Sequence, residues 1–156
     1  MRPLTIVWQR LVTSSGMTCD RCGLTFAALQ HAVAKLKAVL VPLDLEPRLE
    51  TIEIPEESFK ADPSLSNQIW IAGKSLEELV GARVGSSRCC SVCGESECRT
   101  IEFGDAVFEA VPENLIIKAA LIAAAEMVGP TSQRPTAEKD LRSCEPSCCV
   151  DAPASV

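Results

Sequence analysis

Residues 5–40 read TIVWQRLVTSSGMTCDRCGLTFAALQHAVAKLKAVL, and the junction at Cys19-Asp20-Arg21-Cys22 organises the rest of the chain. Thr5 to Val12 is β-branched and apolar on both alternating faces, the pattern of a central strand covered on both sides. Ser14, Ser15, Gly16 and Thr18 make the turn after it. From Gly23 onward, Leu24, Leu29, Val33, Leu36 and Leu40 recur at helical spacing, so the CxxC motif sits between a strand and an amphipathic helix.

Further along, Leu49 to Ile54 alternates polar and apolar residues as a second strand, which Pro55 ends. Residues 55–59 open a short helix, and Gln68 to Ala72 forms a third strand. Residues 81–97 are rich in Gly, Ser and Cys and read as a loop, the Cys-rich loop running from 81 to 98. Cys98 to Phe103 and Ala106 to Ala110 flank Gly104-Asp105 as a hairpin. Pro112-Glu113 then starts an Ala-rich helix that Gly129-Pro130 terminates. Residues 1–129 are thus expected to form the domain. Residues 130–156, rich in Thr, Ser, Pro and Ala, are expected to form a flexible tail.

A chain of 156 residues is long enough to bury a core without disulfide staples. Its net charge of -6 and lack of a long basic run argue against nucleic acid and anionic membranes as partners. The N-terminus lacks the apolar stretch of a signal peptide, and the most apolar segment, Leu115 to Val128, is too short to span a bilayer. A cytoplasmic setting is therefore expected. No GxGxxG, P-loop or GxSxG pattern supports a nucleotide cofactor or a serine hydrolase. His31 is the single histidine, and its position off the apolar stripe makes it a surface residue rather than a catalytic base.

Nine cysteines remain: Cys19, Cys22, Cys89, Cys90, Cys93, Cys98, Cys144, Cys148 and Cys149. Their odd number and two adjacent pairs do not fit a secreted disulfide framework, which leaves metal binding or thiol redox chemistry. At a helix N-terminus, Cys19 meets unpaired N–H groups and the positive end of the helix dipole, which favour the thiolate. Cys22 is close enough to resolve a mixed disulfide. The segment Cys90-x-x-Cys93-Gly94 repeats the pattern of Cys19-x-x-Cys22-Gly23, so two such units could give four thiolates to tetrahedral Zn(II). Cys89, Cys90, Cys93 and Cys98 could alternatively hold zinc by themselves. Adjacent cysteines with a third thiol nearby suit soft ions such as Hg(II) or As(III).

The element order resembles the thioredoxin-like fold over roughly residues 5–128. That resemblance implies a mixed α/β sheet of four to five strands with flanking helices, into which the Cys-rich loop is inserted. Thr18-Cys19-Asp20-Arg21-Cys22, residues 66–71 (SNQIWI), residues 89–94 (CCSVCG) and residues 98–101 (CRTI) resemble a bacterial and archaeal thioredoxin-like family bearing a domain-of-unknown-function label. Resemblance to thioredoxins makes Cys19 the attacking and Cys22 the resolving catalytic thiol. The proline that thioredoxins set opposite the CxxC is replaced here by Ser66-Asn67, and Asp20-Arg21 replaces Gly-Pro. The Cys89-Cys90 pair is similar to the site of arsenical metallochaperones, and Cys144 with Cys148-Cys149 is similar to the mercuric reductase tail.

The expected function is binding or transfer of a soft metal or metalloid through these cysteines, in exchange with a thiol protein partner. Two alternatives stay open: a dithiol-disulfide oxidoreductase using Cys19 and Cys22, and a zinc-stabilised subunit docking on a partner enzyme.

Overall fold

The computed structural model describes residues 1–89 and 93–129. The expected flexible tail, with Cys144, Cys148 and Cys149, lies outside these residues, as does Cys90. The described chain is mixed α/β, built on a four-stranded mixed sheet with flanking helices. Strand β1 (Arg2–Leu11) leads through helix α1 (Asp20–Leu40) to β2 (Leu45–Ile54), parallel to β1. Helix α2 (Glu56–Ala61) follows, then β3 (Gln68–Ile71), antiparallel to β1, and the short β4 (Lys74–Ser75), antiparallel to β3. The sheet order is β2-β1-β3-β4, so β1 is central as its composition demands.

The two faces of β1 are nevertheless unequal. Leu4, Ile6 and Trp8 alternate onto one fully buried face, while Thr5, Val7 and Gln9 on the other are only half-buried. The Trp8 ring stacks on Phe26 of α1, with centroids 5.2 Å apart. This places α1 over the buried face. The inward stripe of α1 is Thr25, Leu29, Ala32, Leu36 and Leu40. Leu24, expected inward, is 63% exposed because the helix begins at Asp20 and its first inward turn is set by Cys22 and Thr25. Val33 packs at the margin of the core, and His31 is exposed as expected. Pro47 is accommodated because β2 is an edge strand, and Arg48, Glu50 and Glu53 give that edge a charged, exposed surface.

By length and composition alone, Asp20–Leu43 would be sufficient for a membrane span, which the sequence reading did not single out. Here its apolar stripe is spent on the core.

Between β4 and the last helix the chain departs furthest from expectation. Helix α3 (Leu76–Val80) is capped by Ser75, whose side chain accepts from the Glu78 N–H. The run from 81 is not all loop: β5 (Arg83–Arg88) pairs antiparallel with β6 (Glu97–Phe103), which turns into β7 (Ala106–Phe108). The hairpin around Gly104-Asp105 is present, but it belongs to this separate sheet, order β5-β6-β7. Gly85 lets two side chains of β6 lie close over the strand. A Cβ at residue 85 would lie 2.6 Å from Glu102 Oε1 and 2.8 Å from Thr100 Oγ1. The composition of β5, poor in β-formers, hid a strand that its partner β6 enforces.

Helix α4 (Glu113–Val128) is capped by Pro112 and packs Leu115, Ile116, Ala119, Ala120, Ala123 and Ala124 inward. Lys35 of α1 pairs with Glu113 at 2.6 Å, and Lys118 lies 4.5 Å over the Phe103 ring, which ties α4 to the second sheet. The buried side chains of both sheets form one continuous core. The Arg99 guanidinium of β6 also reaches across to the Glu77 carboxylate of α3 and to the Ser64 carbonyl.

Candidate metal and thiol centre

Cys19 is the N-cap of α1, in extended backbone, which places it at the open amides of the first turn. One turn on, Cys22 is almost fully buried, with its Sγ 3.6 Å from the Ser66 hydroxyl. Ser66 and Asn67 therefore occupy the place opposite the CxxC. Asn67 has a left-handed backbone (φ 59°), accepts from the Trp8 indole N–H at 3.0 Å and donates to Thr25 Oγ1 at 3.1 Å. These two bonds lock the segment before β3 against both β1 and α1. The Leu11 amide in turn donates to Ser66 Oγ at 3.3 Å.

The inserted sheet brings the loop cysteines to this helix end. Arg21, between the two cysteines, is buried and donates to the carbonyls of Ser87 and Arg88, the last residues of β5. It also pairs with Glu109 at 2.8 Å, and Glu109 accepts from the Ser87 hydroxyl at 3.1 Å. Cys89 thus arrives beside Cys19, held by the side chain that separates Cys19 from Cys22. The sulfurs of Cys19, Cys89 and Cys93 lie within 4.8 Å of one another. Cys98, on β6, interacts with the thiols of Cys89 and Cys93 from behind.

Three sulfurs bound about 2.3 Å from one ion would be about 4 Å apart, so only a small contraction separates this group from a coordination site. The three-thiol group could hold a metal ion. Both four-thiol sets read from spacing include Cys90, which lies outside the described residues; of their other members, Cys19, Cys89 and Cys93 come together. Of the CxxC pair, Cys19 joins Cys89 and Cys93, while Cys22 lies against Ser66 and outside that group. No disulfide joins the five described cysteines.

The thiols are electrostatically distinct. Cys19 is lowered to about 5, first by a hydrogen bond from the Cys22 thiol and then by the Cys22 backbone and by Cys93 and Cys89, against the opposing effect of burial. Cys22 is raised, because it donates to Cys19, is buried, and would place a second negative charge beside the first. Burial is the largest cause raising Cys89, Cys93 and Cys98. Accordingly Cys19 carries the thiolate at neutral pH while its neighbours keep their protons.

In the reduced, metal-free protein, the alkylation rate of Cys19 by iodoacetamide should rise through pH about 5 and plateau well below pH 7. Cys22→Ala should move that rise toward the ordinary thiol range, since the lost hydrogen bond is the largest lowering cause. Peptide mapping of the alkylated residue against pH checks both. An unchanged midpoint in the variant would contradict the assignment.

An open surface hollow of about 490 Å³, lined by Thr18, Cys19, Asp20, Gly23 and Leu24, gives access to Cys19 from solvent. Sequence reasoning missed Arg21, Ser66 and Asn67 as parts of the centre. Only Ser66-Asn67 carried a signal, as the replacement of an expected proline.

A family model described as "Domain of unknown function (DUF2703)" matches residues 4–120, from β1 into α4. The match includes Cys19 to Cys98 and excludes Cys144, Cys148 and Cys149. An uncharacterized protein of Archaeoglobus fulgidus is 42% identical over 113 residues, covering 72% of this chain and 82% of that protein. No solved structure matches the chain.

Proposed function

The chain belongs to the DUF2703 family, and on that premise we propose that it is a thioredoxin-like protein that binds and hands on a soft metal or metalloid ion through clustered thiolates. One observation carries the reading: the convergence of Cys19, Cys89 and Cys93 from two separate sheets, with no histidine or carboxylate in the group. An all-sulfur donor set selects thiophilic ions such as Zn(II), Hg(II) or As(III) over hard cations. Cys98 interacts with Cys89 and Cys93 but lies outside the triad, so it would complete a tetrahedral set for zinc only by closing on the ion, while a trigonal ion needs only the three.

The thioredoxin-like assignment is supported by the β2-β1-β3-β4 order, the parallel β1/β2 pair around α1, and a CxxC at the start of that helix. Such a protein belongs in a reducing compartment such as the cytoplasm, where an exchange partner would present its own thiols. Cys144, Cys148 and Cys149 would serve as further stations.

The test uses the full chain with Cys144, Cys148 and Cys149 replaced by Ser, reduced and handled anaerobically. Titration with Zn(II), As(III) or Hg(II) should show one ion bound per chain, with loss of reactivity at Cys19, Cys89 and Cys93. Absence of tight uptake of all three ions would sink the reading.

A second reading, dithiol-disulfide oxidoreduction, is favoured by the asymmetric pair itself: both thiols are buried, but Cys19 is held as the thiolate and Cys22 behind it keeps its proton. The two readings share Cys19.

A further inference from the structure

Cys19 belongs to two groups at once. Its sulfur is one corner of the triad with Cys89 and Cys93, and as N-cap of α1 it stands one turn before Cys22 on the same helix. Cys22 is outside the triad, held against Ser66. A sulfur in a disulfide is no longer a thiolate donor, so ligation of an ion and pairing with Cys22 compete for one atom. The hollow at the helix start is lined by Cys19 and not by Cys22, although both thiols are buried.

Resting on the metal-binding reading, we infer that the site is released by thiol-disulfide exchange: a small disulfide such as oxidised glutathione converts Cys19 and Cys22 to a disulfide and expels the ion. The step balances. Cys19 as thiolate attacks one sulfur of RSSR, forming a mixed disulfide and expelling RS⁻. The Cys22 thiol then attacks the Cys19 sulfur, closing the Cys19–Cys22 bond and expelling the second RS⁻, which takes up the Cys22 proton as RSH. The external disulfide is reduced by two electrons and the protein pair is oxidised by two. The remaining RS⁻ is itself a thiolate that can receive the departing ion, so release and hand-over to a small thiol occur together.

Ser66 suits this arrangement because its hydroxyl lies beside the thiol that must give up a proton. Arg21 suits it as well. By anchoring the β5 end through backbone carbonyls rather than through Cys19, it keeps Cys89 in place after Cys19 has left the triad.

The experiment uses the full chain lacking Cys144, Cys148 and Cys149, loaded with one equivalent of Zn(II) and, in a parallel sample, of As(III). Each is treated with oxidised glutathione and desalted. Bound ion is then quantified by elemental analysis and disulfides are mapped by mass spectrometry. The expected result is loss of ion in step with a Cys19–Cys22 disulfide in the parent, and a reaction that stops at a Cys19–glutathione mixed disulfide, with one glutathione thiol released per chain instead of two, in Cys22→Ser.

Linkage gives a second readout that needs no variant. An ion that binds only the reduced form, present at a hundredfold its Kd, makes oxidation about a hundredfold less favourable, which raises the midpoint potential of the pair by about 59 mV. Two glutathione thiols released per chain by Cys22→Ser, an oxidised pair that keeps its ion, or an ion-independent potential would each overturn the inference while leaving metal binding intact. Failure of the reduced protein to take up either ion would instead remove both the inference and the reading it rests on.

Discussion

Cys19→Ser is expected to abolish tight ion uptake, weakening it by more than about a hundredfold. That figure exceeds what loss of an outer-shell partner costs a metal site. Cys89 and Cys93 would remain, but both are held protonated, first by burial, and neither supplies the ready thiolate that Cys19 does. The same substitution removes the attacking sulfur from the pair with Cys22, so disulfide reduction should be lost with it. Competition against a chromophoric chelator, beside an insulin-reduction assay, separates the two effects. Cys98→Ser serves as the comparison: it touches Cys89 and Cys93 but lies outside the triad, so its affinity loss should be smaller for As(III) than for Zn(II). Undiminished binding by Cys19→Ser would show that the loop cysteines suffice without the helix.

The largest effect on stability is expected at Glu77. Its carboxylate and the Arg99 guanidinium are 9% and 8% exposed and bind one another across the boundary between α3 and the second sheet. Glu77→Ala leaves a buried cation with only the Ser64 carbonyl, and removal of one partner from such a pair costs about 3–5 kcal/mol. For a domain of this size, that corresponds to a fall in Tm of roughly 10–20 °C. The double variant Glu77→Leu/Arg99→Met should recover most of the loss, because an apolar pair of similar volume avoids the desolvation of both charges. Denaturant unfolding under reducing conditions checks the cycle. A Glu77→Ala variant as stable as the parent would mean that the pair is solvated in solution. Since Arg99 follows Cys98 directly, Glu77→Ala should also speed alkylation of Cys98.

Both predictions turn on contacts between sequence-distant elements. Local pattern was enough for β1, the span of α1 downstream of the CxxC, β2, β3, the β6-β7 hairpin and α4. In each, side-chain periodicity and a turn residue act over a few positions. The Ser75-x-x-Glu78 cap could have revealed α3 in the same way. Local pattern could not reveal β5, where Gly85 leaves room for the side chains of Thr100 and Glu102 and Ser86 and Ser87 bond Glu97 and Glu109, so its composition lacks strand propensity.

The sequence by itself determined that Cys19 and Cys22 stand at the start of a helix that follows a central strand, because spacing and side-chain periodicity are local properties. Which thiols meet was decided by tertiary structure alone. Counting residues suggested that Cys22 would join the loop cysteines. Burial against Ser66 takes Cys22 out of reach, and the Arg21 clamp on the Ser87 and Arg88 carbonyls delivers Cys89 to Cys19 instead. The physical reason is that a ligand set is fixed by where backbones cross, and here the crossing is made by an inserted sheet anchored by one buried guanidinium.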